Sequence, residues 1–244
     1  MAGLSKRFFD VGYKLPKYML ELGGAPVFDH AIGSFGRYFE NNKFLIICRD
    51  VFDTPYFIKN RCRAVGLSSE NLEIVVLDQN TRGQAETVAI GMQQRSTASD
   101  QPITIFNIDT FRPNFEFPAH LNLDEVDGFL EVFEGPGDHW SFAKTADGCD
   151  RVVEVAEKTR ISNLCSNGLY QFRSSSYFLS LYSQISHKNP RSLQGGEFYI
   201  APLYNLAIDQ GADIRCVKVP RKANIFCGTP DEFEFLKKNN FGNG

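Results

Sequence analysis

The chain has 244 residues, enough for one large core or a core with a small appendage. Hydrophobic residues make up 43% and charged residues 23%, with a formal net charge of -3, so nothing in the overall charge favours nucleic acid or an anionic membrane as partner. No apolar run approaches the ~20 residues that span a bilayer, and the six cysteines contain no C-x-x-C pair, which argues against zinc and for reduced thiols in a cytoplasmic protein.

The first segment, "MAGLSKRF", is a glycine-containing basic loop. Gly3 permits a tight turn whose peptide N–H groups can cradle phosphate oxygens, Ser5 adds a hydroxyl and Arg7 a fork of donors. Lys17 follows Pro16, which fixes the backbone and presents a point charge. "PVFDHAIGSFGRYF" reads as a helix with Pro26 at its first helical position and Val27, Ala31, Phe35 and Tyr38 on one face. "KFLIICRD" reads as a buried strand. "DTPYFIKNRCRAVG" is a helix with Thr54 as cap, Pro55 inside its start and Gly66 past its end. "NLEIVVLD" is a second strand, "GQAETVAIGMQQR" a third helix and "PITIFNID" a third strand.

Beyond residue 110 the pattern becomes mixed. "WSFAK" and "RVVEVAEK" form a hairpin around Asp147-Gly148. "NGLYQFRSS" is a strand, and "EFYIAPLYNLAIDQG" a helix interrupted or bent near Pro202. "DIRCVKVP" is a strand, and "TPDEFEFLKKN" a helix capped by Thr229. The alternation predicts an α/β fold with a Rossmann-like, mostly parallel sheet flanked by helices and a mixed second part. It also predicts a single domain over 1–244, with 1–110 binding nucleotide and 111–244 binding acceptor. A loop of this kind follows a buried central strand, and here that first strand is absent from the chain. The expectation is therefore of a short apolar strand upstream of Met1.

"MAGLSKRF…GYKLPKYMLELGGAPVFDHAI" resembles the signature of the sugar-phosphate nucleotidylyltransferases. In that family a G-x-G-[ST]-R loop is followed by Pro-Lys and then Gly-x-Pro. Gly3, Arg7, Pro16, Lys17, Gly24 and Pro26 fall in that order, with Ser5 at the second glycine. Later stretches extend the match: "NTRGQAETV", "FNIDTF", "VVEVAEKTRIS", "SNGLYQF" and "GGEFYIAPLYN". The resemblance implies nucleotide binding by Ala2, Gly3, Leu4, Ser5, Arg82, Gly83 and Gln84. Arg7, Lys17 and Lys158 become catalytic residues, and Asp109 the ligand of Mg2+. Acceptor binding falls to Glu157, Lys158, Gly168, Tyr170 and Glu197, the last at the acidic start of its helix.

Each residue has a plainer reading as well. Asp109 also reads as a cap after a strand, Glu157 and Lys158 as a solvated pair, and Trp140 as core packing. One departure concerns the metal: in "NIFCGTPDEF" Phe226 stands at the family's second metal-binding Asp, with Asn224 nearby. The implied reaction transfers NMP from CTP, dTTP or UTP to a phosphorylated acceptor and releases pyrophosphate. The stretch "GPGDHWSFAK…EKTRIS…NGLYQF" resembles a capsule-biosynthesis subfamily that includes cytidylyltransferases acting on phosphoglutamine. The acceptor is thus a sugar 1-phosphate or a phosphorylated amino acid. Two other readings stand beside this one. A non-catalytic nucleotide-binding module would explain Ser5 and Phe226. A glycosyltransferase would need an Asp-x-Asp, where the chain has Asp109, Thr110 and Phe111.

Overall fold

The structure, a computed structural model, describes residues 3, 5–96 and 100–242. The described residues divide into two compact units, and both are discontinuous in sequence. The first comprises those of Met1–Asn80, Asn107–Glu116 and Lys222–Gly244, and the second those of Thr81–Phe106 and Phe117–Arg221.

The first unit opens with helix α1 (Lys6–Asp10), the short strands β1 (Glu21–Leu22) and β2 (Ala25–Pro26), and α2 (Val27–Gly33). β1 and β2 are joined by Gly23 and Gly24, both at positive φ (58° and 82°), as a two-residue primed hairpin turn requires. Pro26 is the residue capping α2 rather than its first helical residue, because its ψ of 148° is extended. A βαβ unit follows: β3 (Phe44–Arg49), α3 (Thr54–Ala64) and β4 (Leu72–Leu77). β3 and β4 pair in parallel, as expected of strands joined by a helical crossover. Ile46 and Cys48 of β3 pack with Ile58 and Cys62 of α3 in one apolar cluster. Asp53, in the left-handed region, caps α3. Thr54, the residue the sequence suggests as cap, is buried, and its hydroxyl is engaged by Tyr18 at 2.7 Å.

The chain then supplies α4 (Gln84–Gln94) and β5 (Ile103–Ile105) to the second unit, and β6 (Thr110–Phe111) to the first. β7 (Gly128–Glu134), β8 (Ser141–Thr145), β9 (Val152–Glu157), β10 (Leu164–Phe172), α5 (Ser175–Ser183), α6 (Leu203–Asp209) and β11 (Ile214–Lys218) build the rest of the second unit. β12 (Ile225–Phe226) and α7 (Pro230–Lys238) return to the first. The second unit's sheet runs β11-β7-β10-β8-β9, with β5 also on β10; β7–β11 is parallel and the other pairs are antiparallel. β7 and β10 are buried along nearly their whole length, as central strands must be. Their core is closed by residues of α4, α5 and α6, including Ala85, Phe178 and Tyr204. The class is thus the expected one, an α/β fold whose sheet is flanked by helices, but the sheet is mixed and mainly antiparallel rather than mostly parallel, because successive strands β7 to β10 pair without helical crossovers.

The predicted helix from Glu197 begins only at Leu203, after Pro202. Glu197 is extended and Phe198 is bonded elsewhere: Phe198 N–H donates to Arg82 O at 3.0 Å, and Ala85 N–H to Phe198 O at 2.7 Å. Glu197 (φ -141°) therefore stands six residues before a helix and cannot act on its N-terminus. Among the described residues no helix is long and apolar enough to cross a membrane.

Candidate active site

The residues expected to carry chemistry fall into two groups, one in each unit. In the first unit Gly3 is exposed in a bend, while Ala2 and Leu4 lie outside the described residues. Ser5 caps α1 with φ 49° and ψ 26°, a left-handed conformation that explains why related loops carry glycine there. Its hydroxyl accepts a bond from the Lys17 backbone N–H at 3.2 Å, tying the loop to the lysine. Arg7 is exposed on α1, and among the described residues its guanidinium has no partner.

Lys17 opens a short 3₁₀ turn after Pro16, and its ammonium is ion-paired to Asp109 Oδ2. The two side chains are 23% and 21% exposed. Burial works against the Asp109 carboxylate, but the Lys17 charge and hydrogen bond outweigh it and hold the carboxyl below the ordinary range. Asp109 does not cap a helix; it precedes β6, and its carbonyl accepts from Cys227 N–H at 2.8 Å. A bare glycine faces the carboxylate. A Cβ on Gly228 would lie 3.2 Å from Asp109 Oδ2 and 3.6 Å from Glu232 Oε2. Glu232 is occupied in a capping box, accepting from Gly228 and Thr229 N–H at 2.9 and 3.0 Å. Phe226 pairs in register with Thr110, next to Asp109, so the expected second acidic position is adjacent but carries no carboxylate. Asn224 is buried close by in sequence. Burial first, then the charges of Asp109 and Glu232, push the neighbouring Cys227 thiol up to about 12, so it stays protonated.

In the second unit Gly83 caps α4 at φ 149°. A Cβ there would meet Phe198 N at 2.5 Å and Phe198 O at 2.6 Å. Gly83 is therefore required by the close approach of two backbones. Arg82 does not project freely: its Nε donates to Glu86 Oε1 at 2.7 Å, and its guanidinium lies 4.6 Å from the Phe198 ring centroid. Gln84 is half-buried in the first turn of α4.

The acceptor-side residues meet at the end of β9. Glu157 is 5% exposed and accepts from the Ser141 hydroxyl. Burial raises its carboxyl above the ordinary value, Glu197 adds to this, and Ser141 and Lys158 oppose it. The Tyr170 hydroxyl donates to Ser141 Oγ at 3.2 Å, so Tyr170, Ser141 and Glu157 form one chain. Burial, then the Glu157 charge, lifts the Tyr170 phenol to about 12. Gly168, at φ 90°, sits where the β7–β10 register shifts between Ser166 and Tyr170. Lys158 lies just past β9 with φ 54°; its N–H donates to Trp140 O at 2.9 Å and its ammonium donates to the Tyr199 hydroxyl. Glu197 is exposed and close enough to act electrostatically on both Glu157 and Lys158. Trp140 packs edge-on against Phe133, with ring centroids 5.1 Å apart, in keeping with a packing role.

Ser141, Tyr199, Gly195 and Glu232 touch these groups and were not singled out in the sequence. Ser141 directly follows Trp140 and Tyr199 lies two residues after Glu197, with no spacing signal to mark either, and only three-dimensional pairing brings them in. Among the described residues no group of three or more His, Cys, Asp or Glu side chains is arranged to hold a metal.

No protein-family model matches the chain. No curated protein matches it either. Solved structures do. A nucleoside-diphosphate-sugar pyrophosphorylase from Vibrio cholerae RC9 is 44% identical with a TM-score of 0.91, covering 98% of each chain. An inositol-1-phosphate CTP transferase from T. maritima shares the fold at 14% identity and TM-score 0.74, covering 99% of this chain and 94% of that one. A UDP-glucose pyrophosphorylase does so at 13% identity and TM-score 0.70, covering 98% and 95%. At 44% identity over almost the whole of both chains, the protein belongs to the nucleoside-diphosphate-sugar pyrophosphorylase family and is an enzyme of the nucleotidyltransferase type.

Proposed function

We propose that the protein transfers a nucleotidyl group from a nucleoside triphosphate to a phosphorylated small molecule, with release of pyrophosphate. An oxygen of the acceptor's phosphate forms the new bond to the α-phosphorus, and the bond from that phosphorus to the β-phosphate oxygen breaks. A phosphate monoester is anionic near neutral pH, so the step needs no general base. It needs alignment and neutralised charge. The observation that carries this reading is the Lys17–Asp109 pair, held against a bare Gly228 and tied through Ser5 to the basic loop.

In this reading Arg7 and Lys17 hold the triphosphate, with loop amides around Gly3. Arg82, whose side chain and backbone N–H are bonded to Glu86 and whose carbonyl accepts from Phe198 N–H, supports the nucleobase-reading segment that Gly83 and Gln84 continue. Lys158 takes the attacking phosphate, while Glu157, Gly168, Tyr170 and Glu197 surround the acceptor's body. The donor set at Asp109 fits Mg2+, which commonly takes one or two carboxylates and completes its shell with waters and substrate phosphates. Asp109 would hold it, beside the side-chain-free Gly228. When bound, the cation supplies charge neutralisation on the phosphates. Paired to Asp109 through one N–H, Lys17 keeps two further N–H donors for the phosphates.

CTP, dTTP and UTP are the donor candidates. A sugar 1-phosphate or a phosphorylated amino acid such as phosphoglutamine is the acceptor, and supply of an activated precursor for surface polysaccharide or capsule is the corresponding role in a cytoplasmic enzyme. The similar structures include a CTP transferase and a UDP-glucose pyrophosphorylase, which is in keeping with CTP or UTP as donor and a phosphorylated sugar or polyol as acceptor. The test is a pyrophosphate-release screen of four triphosphates against phosphorylated sugars and amino acids. Release that depends on both substrates supports the reading. Tight triphosphate binding without release from any pair favours a non-catalytic binding module, the alternative that Phe226 beside Asp109 speaks for.

A further inference from the structure

Lys158 is the one acceptor-side cation of the proposed reaction, and its surroundings are more specific than a phosphate contact requires. Its backbone is left-handed, an uncommon state for a long side chain, and its N–H is fixed to Trp140 O at 2.9 Å. The ammonium lies 4.5 Å from the Tyr199 ring centroid and donates to that residue's hydroxyl. Tyr199 is itself held in place. Gly195, at φ 75°, packs so closely that a Cβ there would come within 2.8 Å of both Tyr199 Cε2 and Glu157 Cγ. The loop thus clamps the aromatic ring and Glu157 against a residue with no side chain.

We propose that Tyr199 is the positioning residue of Lys158. Its ring face and hydroxyl hold the ammonium past the end of β9, leaving two of the three N–H donors for an acceptor's phosphate. A free lysine side chain samples many rotamers, and a cation–π contact with one hydrogen bond narrows them before the ligand arrives. Glu157 and Glu197 reinforce the same charge, and the net effect of the surroundings favours the protonated ammonium. This inference rests on the reading that Lys158 takes the acceptor phosphate.

The experiment is trace acylation of lysines by acetic anhydride, read by peptide mass spectrometry and normalised to exposed Lys144. It compares wild type with Tyr199→Phe, each with and without glucose 1-phosphate or inorganic phosphate as probe. Phenylalanine keeps the ring against Gly195, so a melting temperature near wild type is expected and is measured alongside. Without ligand, Lys158 of Tyr199→Phe should label at least about threefold faster than in wild type. The glucose 1-phosphate concentration that half-protects Lys158 should rise about five- to tenfold, and turnover should show the matching change in KM with kcat shifted less than about twofold. A Lys158→Met/Tyr199→Phe double variant should turn over no worse than Lys158→Met alone. Equal labelling of Lys158 in the two proteins overturns the Tyr199 contact. Faster labelling with unmoved half-protection overturns its positioning role. If neither probe protects Lys158 in wild type while the labelling contrast persists, the acceptor assignment of Lys158 falls, and the positioning role with it.

Discussion

Ser5 and Lys17 show what a single residue discloses and what it conceals. Ser5 stands where related loops carry glycine, and its left-handed backbone gives the reason, since that conformation costs an ordinary residue roughly 1–2 kcal/mol. Ser5→Gly removes the strain but also the bond to Lys17 and some unfolded-state restriction, so stability should stay within about 1 kcal/mol of wild type. Ser5→Val adds a β-branch to the same conformation and should lose roughly 2 kcal/mol. Urea melts of the two variants check this, and similar losses in both would refute the backbone argument. The sequence suggests a phosphate-facing role for Lys17 but does not disclose its partnership with Asp109, 92 residues away. No local pattern encodes so distant a pair. Lys17→Met should raise the Asp109 carboxyl toward its ordinary value, because the largest opposing influence to burial is removed. It should cost at most about 2 kcal/mol in a partly exposed pair. Turnover should fall at least ~10-fold with saturating substrates, since a charge-assisted contact is worth about 1.5–3 kcal/mol. Normal turnover would remove Lys17 from the catalytic set.

Elements bounded by local chemistry were readable, and elements bounded by tertiary pairing were not. Thr229 before Pro230 marks a helix start, and α7 begins where they place it, with Glu232 completing a capping box that the structure adds. The β8–β9 hairpin likewise turns at Asp147 and Gly148, with Gly148 at φ 73°. By contrast, helical residues before Pro202 lose to a backbone bridge between Phe198 and the Arg82–Ala85 segment. The register shift near Gly168 is equally silent in sequence, because a bulge is defined by the partner strand. That bridge also gives Gly83, expected from its motif to contact nucleotide, a packing duty that it must fulfil in any case. Gly83→Ala would drive a Cβ into the Phe198 backbone, which has no flexible end to move. A loss of about 2–3 kcal/mol follows, at the upper end of overpacking costs. Chemical denaturation measures it; a loss below about 0.5 kcal/mol would mean that the loop is free of Phe198.

At the scale of the molecule, the sequence suggests one domain divided near residue 110, whereas the chain passes between two units four times. β5 was recognised as a strand, but not as a partner of β10, because pairing over such a separation leaves no trace in composition. What the assembled molecule adds is a set of carboxyls tuned in opposite directions. Asp100, bonded to Ser176 N–H at 2.9 Å and Ser176 Oγ at 2.7 Å, is lowered to about 2 by those bonds. Glu86 is lowered because Arg82's hydrogen bonds and charge outweigh its burial, and Asp109 is lowered by Lys17 against its own burial. For these three the folded state holds its proton less tightly than the unfolded chain. Their stabilisation is complete above the ordinary carboxyl range near ~4 and is lost as pH falls through the folded values, down to about 2 for Asp100. Glu157 is raised, chiefly by burial, so its sign is reversed. The folded state keeps that proton longer, and stability declines as pH rises through the window above ~4.3. The melting temperature should therefore pass through a shallow maximum near about pH 5, where Glu157 gains and the other three have not yet lost. Below about pH 4 it should fall steeply. Glu157→Gln should flatten the decline above the maximum, and Asp100→Asn should flatten the fall between about pH 4 and 2, with the other limb unchanged in each case. Calorimetric scans from pH 2.5 to 7 in constant ionic strength test both limbs separately. A melting temperature that is level across that range, or variants that each flatten the wrong limb, would show that these four carboxyls do not govern the acid response.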